Sequence, residues 1–400
     1  MQAPNEQLRR SLGLPLLVLY GVGTTVGAGI FALIGEISGL AGPFAPLSFL
    51  IAGLIAAATG LSYALLSPIF PKAAGEVAYT DYALGRLVAR AVGFAILAAA
   101  IISSAVIALA FAGYLGEIIG LPRPILAIGL IGLLAALAAW GVRQSVIFVS
   151  IVTLSEALTL GIIIIYGMPY LTAENMSALI ALPTPSAWNG IFAGAFLAFF
   201  AFIGFEDMVN MAEETHNPEK TLPRAILLTI IITIAIYALI AILASAIPGH
   251  EIIQNHEAPL AALFELASGL NPQPIAAMAA IAMINGILVQ IIMASRLIYG
   301  MAGRGLLPAG LAKINPHTQT PLRATAFVAL CIIFLASGFP LASLAGATSS
   351  LTLLIFTMIN LSLWRMGGFA NAPRLIAKWR YWGLFAAALS LILLAIELKG

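Results

Sequence analysis

Two short stretches of this chain carry residues suited to binding chemistry rather than to packing. Gly21-Val-Gly-Thr-Thr-Val-Gly-Ala-Gly-Ile-Phe31 puts four glycines and two threonines into nine residues of an apolar run. Each interior glycine costs a helix about 1 kcal/mol relative to alanine, so a helix here is expected to break. Phe199-Phe-Ala-Phe-Ile-Gly-Phe-Glu-Asp207 repeats the theme, with Gly204 followed closely by the carboxylates Glu206 and Asp207. In hydrocarbon a freed backbone N–H or C=O costs several kcal/mol unless something satisfies it. A helix that restarts inside the membrane offers N–H groups, with the positive end of its dipole, to an anion. The carbonyls released by a break suit an ammonium group. Neither break holds a lysine or arginine, so backbone must supply the anion-binding part. A site with both polarities a few ångströms apart fits a small zwitterion of the α-amino acid type.

The elements that must position these breaks follow from composition. Of the 400 residues, 62% are hydrophobic and 8% charged, against about 25% charged in an average soluble domain. Mean hydropathy is +1.06. The chain is therefore expected to be a polytopic, all-α membrane protein embedded in a lipid bilayer. Apolar runs place spans at Leu14–Ile37, Phe44–Ile69, Ala89–Ile119, Ile125–Trp140, Ser145–Tyr166, Gly190–Met211 and Leu222–Ile247. Four more lie at Pro274–Met301, Ala324–Phe339, Leu341–Leu363 and Tyr381–Ile396, eleven in all. With the N-terminus inside, all of the 18 lysines and arginines except Arg123 and Lys399 fall on the cytoplasmic side. That bias predicts a multi-pass protein of the inner (plasma) membrane with a cytoplasmic N-terminus and an external C-terminus. No cleavable signal is expected, because the polar Met1–Arg10 precedes a run too long for a signal core. The single Cys331 excludes an intrachain disulfide.

Two connecting stretches add detail. Lys72–Arg90 reads as a short inner amphipathic segment, with Tyr79 and Tyr82 at interfacial depth. Glu257–Ala267 reads as an outer helix with Leu260, Leu263, Phe264 and Ala267 on one face, either a lid or an interfacial connector. Between the sixth and seventh spans, Glu213–Arg224 reads as a helix end, a turn at Asn217-Pro218 and a helix start at Thr221. The spacing of His250 and His256 does not suit a metal site, and none is assigned.

The interrupted spans are the first and the sixth, five apart. Five spans plus five in inverted topology, each half opening on a broken helix, is the arrangement that brings helix ends to a ligand at the bilayer midplane. The chain then reads as one transmembrane domain over residues 1–400. Its first repeat covers about 14–166, its second about 190–363, and an extra C-terminal helix about 381–396.

Four ordered motifs resemble the amino acid–polyamine–organocation superfamily of permeases. They are Gly27-Ala-Gly-Ile-Phe31, Phe199-Phe-Ala-Phe-Ile-Gly-Phe-Glu206, the run from Glu213 to Ile226, and Ala294-Ser-Arg296 with Met301-Ala-Gly-Arg-Gly-Leu-Leu-Pro308. The likeness covers nearly the whole chain. It implies the leucine-transporter-type fold and secondary transport of amino acids or related amines; most relatives have twelve spans, against the eleven counted here. Carried over by position, it implies that a substrate carboxylate meets N–H groups near Ala28 and Gly29. Its ammonium would meet carbonyls near Thr25 and those of Phe200, Ala201 and Ile203. Gly27 and Gly204 mark the breaks, and Phe202 or Phe205 is a gate candidate, although packing is the commoner role for such a ring. Some proton-coupled relatives carry a lysine in span five where this chain has Glu156. The resemblance thus suggests Glu156 as a proton-coupling group, the alternatives being a hydrogen-bonded structural acid or a sodium ligand. Glu206 and Asp207 either cap and pair within the broken helix or face a cationic substrate.

The expected function is secondary active amino acid transport, as proton symport by alternating access. Polyamine or cationic amine transport, amino acid exchange, and a substrate sensor on the same fold are the alternatives. No catalytic residues, cofactor, metal or nucleic-acid partner is expected, and nothing in the chain bears on oligomeric state. A membrane enzyme would need a nucleophile–base set or a metal motif, which is absent. A channel would need a polar stripe or ring of filter groups, for which the spans are too apolar.

Overall fold

A computed structural model of the chain describes residues 10, 12–70, 75–141, 146–249, 251–254 and 256–398. Arg9, Lys72, Arg143, His250 and Lys399, which entered the sequence reading, lie outside the described residues. In chain order the α-helices are α1 (Leu14–Val26), α2 (Gly29–Ala41), α3 (Ala45–Leu66), α4 (Gly75–Leu84), α5 (Arg86–Ile119), α6 (Arg123–Trp140) and α7 (Val146–Gly167). They continue as α8 (Ser177–Ile180), α9 (Ala187–Phe199), α10 (Pro218–Ala246), α11 (Glu251–Gln254) and α12 (Pro259–Ser268). The last four are α13 (Gln273–Gly303), α14 (Leu322–Gly338), α15 (Leu341–Met366) and α16 (Arg374–Glu397). Among the described residues, nine helical stretches are long and apolar enough to cross a membrane. One of them, Gly29–Leu66, turns at Gly42–Phe44 and joins the second half of span one to span two. With the shorter apolar helices Leu14–Val26 and Leu322–Gly338, the eleven expected passes are all helical. The protein is an all-α polytopic membrane protein.

Spans one and six are broken, as their glycines predict. The first splits into α1 and α2. In the sixth, α9 tightens into a 3-10 turn at Phe200–Phe202, the chain extends at Ile203, and a 3-10 helix runs from Phe205 to Glu214. The other spans are continuous because they carry long apolar runs without such glycine clusters.

Several boundaries differ from the reading, each for a local reason. The helix after Asn217 starts at Pro218 rather than Thr221: Asn217 sits at φ 47°, and proline at the first helical position needs no N–H partner. The last helix starts at Arg374, seven residues before the apolar run, so Arg374, Lys378 and Arg380 ride on helix rather than loop. Hydropathy marks the part of a helix in the hydrocarbon, not its end. The inner stretch forms α4, but Tyr79 is fully buried, its ring 6.3 Å from that of Tyr63 and 5.2 Å from that of Phe70; only Tyr82 is exposed. The outer helix is α12, with Leu260, Leu263 and Phe264 buried.

Helices pack closely where small residues allow it. A Cβ on Gly383 of α16 would collide with the Asn360 carbonyl and the Trp364 backbone of α15. Nearby, the buried Asn360 donates its amide to Thr59 of α3 at 2.9 Å. By contrast Gly129 and Gly132, on an exposed face of α6, have open space where a Cβ would go. Gly383→Val is therefore expected to lower the unfolding free energy by about 1–3 kcal/mol or more through overpacking. Gly129→Val is expected to leave it within about 0.5 kcal/mol. Denaturation in a single detergent checks both.

Candidate functional site

The first break lies where α1 runs out. The Gly27 N–H still reaches the Gly23 carbonyl (3.2 Å), but its backbone turns away from helix at φ −3°, ψ −115°. Helical pairing resumes with Ala32 N–H donating to the Ala28 carbonyl at 2.9 Å. The N–H groups of Gly29, Ile30 and Phe31 therefore open a new helix and have no acceptor within it. They lie in the protein interior, where Ile30 and Phe31 are fully buried.

The second break turns at Gly204, whose φ of 129° is a conformation that only glycine adopts freely. Its N–H donates to the Glu206 carboxylate at 2.8 Å, so Glu206 caps the second half of the span. Its carbonyl accepts from the Thr24 hydroxyl at 3.1 Å.

The two breaks meet backbone to backbone. A Cβ on Gly29 would collide with Cα of Ala201, and one on Gly204 with the Thr24 carbonyl. In this state Ala201 fills the space beside Gly29, where a substrate carboxylate is expected to meet backbone N–H groups. Besides Thr24, a second side chain bridges the junction. The Tyr237 hydroxyl, from the middle of α10, lies 2.9 Å from the Thr25 carbonyl and 2.9 Å from the Ala201 carbonyl. Two of the proposed ammonium acceptors thus share the one phenol proton, and the Phe200 carbonyl accepts the Ile203 N–H at 3.2 Å. Tyr237 was missed in the sequence. The available signal was a phenol in mid-span, which must find a polar partner.

Around this junction the aromatic rings pack as core. Phe202 lies 5.1 Å from the Tyr237 ring, and Phe205 lies 5.7 Å from Tyr63 and 5.4 Å from Phe356. Phe202 and Phe205, the gate candidates, are both buried in this packing. Phe356, from α15, is the ring that lines the adjoining cavity.

That cavity holds about 60 Å³. It is walled by Ile203, Glu206 and Asp207 of span six, with Ser103 from α5, Gln290 from α13 and Glu76 from α4. The Ser103 and Ser104 hydroxyls both donate to the Gln290 amide oxygen, at 2.7 and 2.8 Å. Glu76 is 7% exposed, and burial pushes its carboxyl up to about 7. The space suits a couple of waters, each taking about 30 Å³, and not an amino acid. This state is closed around the junction.

On the other side of the junction, the Tyr114 hydroxyl donates to the Phe31 carbonyl at 2.9 Å and accepts the Leu260 N–H at 3.1 Å. It ties α5, α2 and α12 together. Arg123 pairs with Glu257 beside a cavity of about 170 Å³ that reaches Ala32 in the first turn of α2.

Glu156 stands apart from the cavity. It is 3% exposed on α7, and its Oε2 has no hydrogen-bond partner among the described residues. Gly23 of α1 packs on Thr153, one turn before it, so Glu156 lies near the level of the first break. It is within electrostatic reach of Tyr237.

Residues 12–398 match the family described as amino acid permease. The chain is 32% identical over 387 residues to the vacuolar cationic amino acid transporter 2 of Arabidopsis thaliana, covering 90% of this chain and 60% of that protein. It is 27% identical over 381 residues to the branched-chain amino acid permease BcaP of Bacillus subtilis, covering 90% of this chain and 81% of that one. A methylthioribose transporter of the same bacterium is 26% identical over 387 residues, covering 90% and 82%. The chain spans only about 60% of the length of the plant transporters it matches.

Tyr237→Phe removes the one proton that two buried carbonyls share. It is expected to lower the unfolding free energy by about 1–3 kcal/mol, read by chemical denaturation of the ligand-free protein in detergent.

Proposed function

Because the chain belongs to the amino acid permease family, we propose that it carries amino acids across a membrane by alternating access between the two breaks. The observation that carries this reading is the junction itself: two interrupted spans in backbone contact, held by the Thr24 and Tyr237 hydroxyls and almost empty of space. Opening it would expose the N–H groups near Ala28 and Gly29, which have no acceptor within α2, to a carboxylate. It would also free the carbonyls of Thr25, Phe200, Ala201 and Ile203 for an ammonium group. A substrate that meets both replaces the contacts that the closed state makes within the protein. The charge bias of the loops supports a plasma-membrane orientation with the N-terminus inside, and the spacing of the breaks supports two inverted five-span repeats.

A cationic substrate is the second reading, favoured by the wall of the small cavity. Glu76, Glu206 and Asp207 line it, and no lysine or arginine among the described residues does. A purified sample screened by thermal shift against amino acids and amines separates the two, since a ligand that binds only folded protein raises stability by RT ln(1 + [L]/Kd). The best amino acid ligand is expected to lose about 2 kcal/mol or more on amidation or N-acetylation, because either leaves a buried partner unmatched. A diamine that binds as well as the amino acid would transfer the weight to the carboxylates.

Glu156 is the group we assign to proton coupling. Its buried, unpartnered oxygen near the first break supports this role. Coupling requires that its hold on a proton differ between the two faces of the cycle, as any ligand shifts an equilibrium only through unequal affinity. In proteoliposomes, Glu156→Gln is expected to keep substrate exchange and to lose uphill uptake driven by a pH gradient. Retained uphill uptake would leave Glu156 a packing group.

A further inference from the structure

A groove of about 650 Å³ runs along the side of the bundle between α3, α10 and α16, with Phe192 of α9 at its edge. Every residue lining it is apolar or aromatic. On α16 the lining runs from Trp382 to Ile396, about 21 Å at ~1.5 Å per residue. That is most of a hydrocarbon core about 30 Å thick. The only polar atom of Trp382's indole is satisfied, since its N–H donates to the Ala58 carbonyl at 2.8 Å.

The two ends of this groove differ in charge. The Trp382–Ala58 bond sets the start of the α16 lining beside residue 58 of α3, and Ile230 of α10 packs against Gly60 of the same helix. The C-terminal half of α3 thus lies beside the first lining residues of both α10 and α16. One turn before Trp382 on the same face comes Lys378; one and two turns before Leu227 come Arg224 and Lys220. All three are exposed, and none makes an ion pair among the described residues. At the opposite end Ile396 is followed by Glu397.

We propose that this groove is a binding site for an anionic phospholipid, its acyl chain along α16 and its headgroup between Lys378 and Arg224. A concave apolar slot between spans, crowned at one end by basic side chains from two helices, matches the way membrane proteins hold acidic headgroups. A neutral lipid would fill the slot and leave the cations unmatched. A second copy of the chain related by a twofold axis along the membrane normal would set the same basic ends against each other. The lipid would also brace α9 and α10, the two helices joined through the second break, against α16.

The test uses delipidated protein in detergent, titrated with phosphatidylglycerol or with phosphatidylcholine of the same chains, and native mass spectrometry to count retained lipid. Phosphatidylglycerol is expected to be retained at a concentration lower by about tenfold or more, from two basic contacts. The double variant Lys378→Gln/Arg224→Gln should bring the two lipids to within about twofold of each other. Ala57→Trp, which fills the slot, should reduce retention of both. Equal retention of both lipids by the parent protein, or an undiminished preference in the double variant, overturns the proposal. So does a dimer in detergent that Ala57→Trp converts to monomer, which would make the groove an interface between copies. The charge variants alter only exposed side chains, so they decide the matter even if Ala57→Trp does not fold.

Discussion

Everything in this molecule depends on one constraint: backbone released from a helix within hydrocarbon must find partners inside the protein. Two spans break, and each break supplies part of what the other lacks. The Thr24 hydroxyl serves the Gly204 carbonyl, the Glu206 carboxylate serves the Gly204 N–H, and Tyr237 serves a carbonyl from each side. Glycine is needed where the two chains touch, because a side chain at Gly29 or Gly204 would hold them apart. The closed junction is therefore a hydrogen-bonded knot around the Thr25, Ala201 and Gly204 carbonyls, while the N–H groups that open α2 have no acceptor within their helix.

Such a knot suits the alternating access proposed above. Its bonds are individually modest, about 1 kcal/mol net each, yet leaving any one of them unmade inside the membrane is expensive. A ligand able to make the same bonds can open the knot at little net cost, whereas water-free opening is penalised. The flanking contacts follow the same logic on each side. Tyr114 ties α2 to α12, and the hydroxyls of Ser103 and Ser104 hold Gln290 across α5 and α13. Polar ties cross the helices that flank the junction, while close glycine contacts such as those of Gly383 seat α16 against α15.

Charge is distributed by the same economy of burial. Glu76, Glu206 and Asp207 sit at α4 and at the second break, inside the protein, where they face a small cavity and Glu206 also caps the broken span. Lysines and arginines sit at helix ends instead, where long side chains reach polar surroundings. On α10 and α16 that placement puts exposed cations at the mouth of an apolar groove.

The sequence by itself determined the class, the number of passes and the location of both breaks. Hydropathy over some twenty residues and clustered glycines are local properties, read without knowing what packs where. Family membership was legible for the same reason, through short motifs around Gly27 and Gly204. Helix ends were less legible: α16 begins at Arg374 because a helix continues beyond the hydrocarbon, where hydropathy no longer reports it. Only tertiary structure decided that Gly29 packs on Ala201, that Tyr237 holds the junction, and that Phe356 rather than Phe202 faces the cavity. Tyr237 is 36 residues from Ala201 and 212 from Thr25. A hydroxyl that must satisfy carbonyls so distant in the chain is specified by how helices pack, and no window of sequence contains that information.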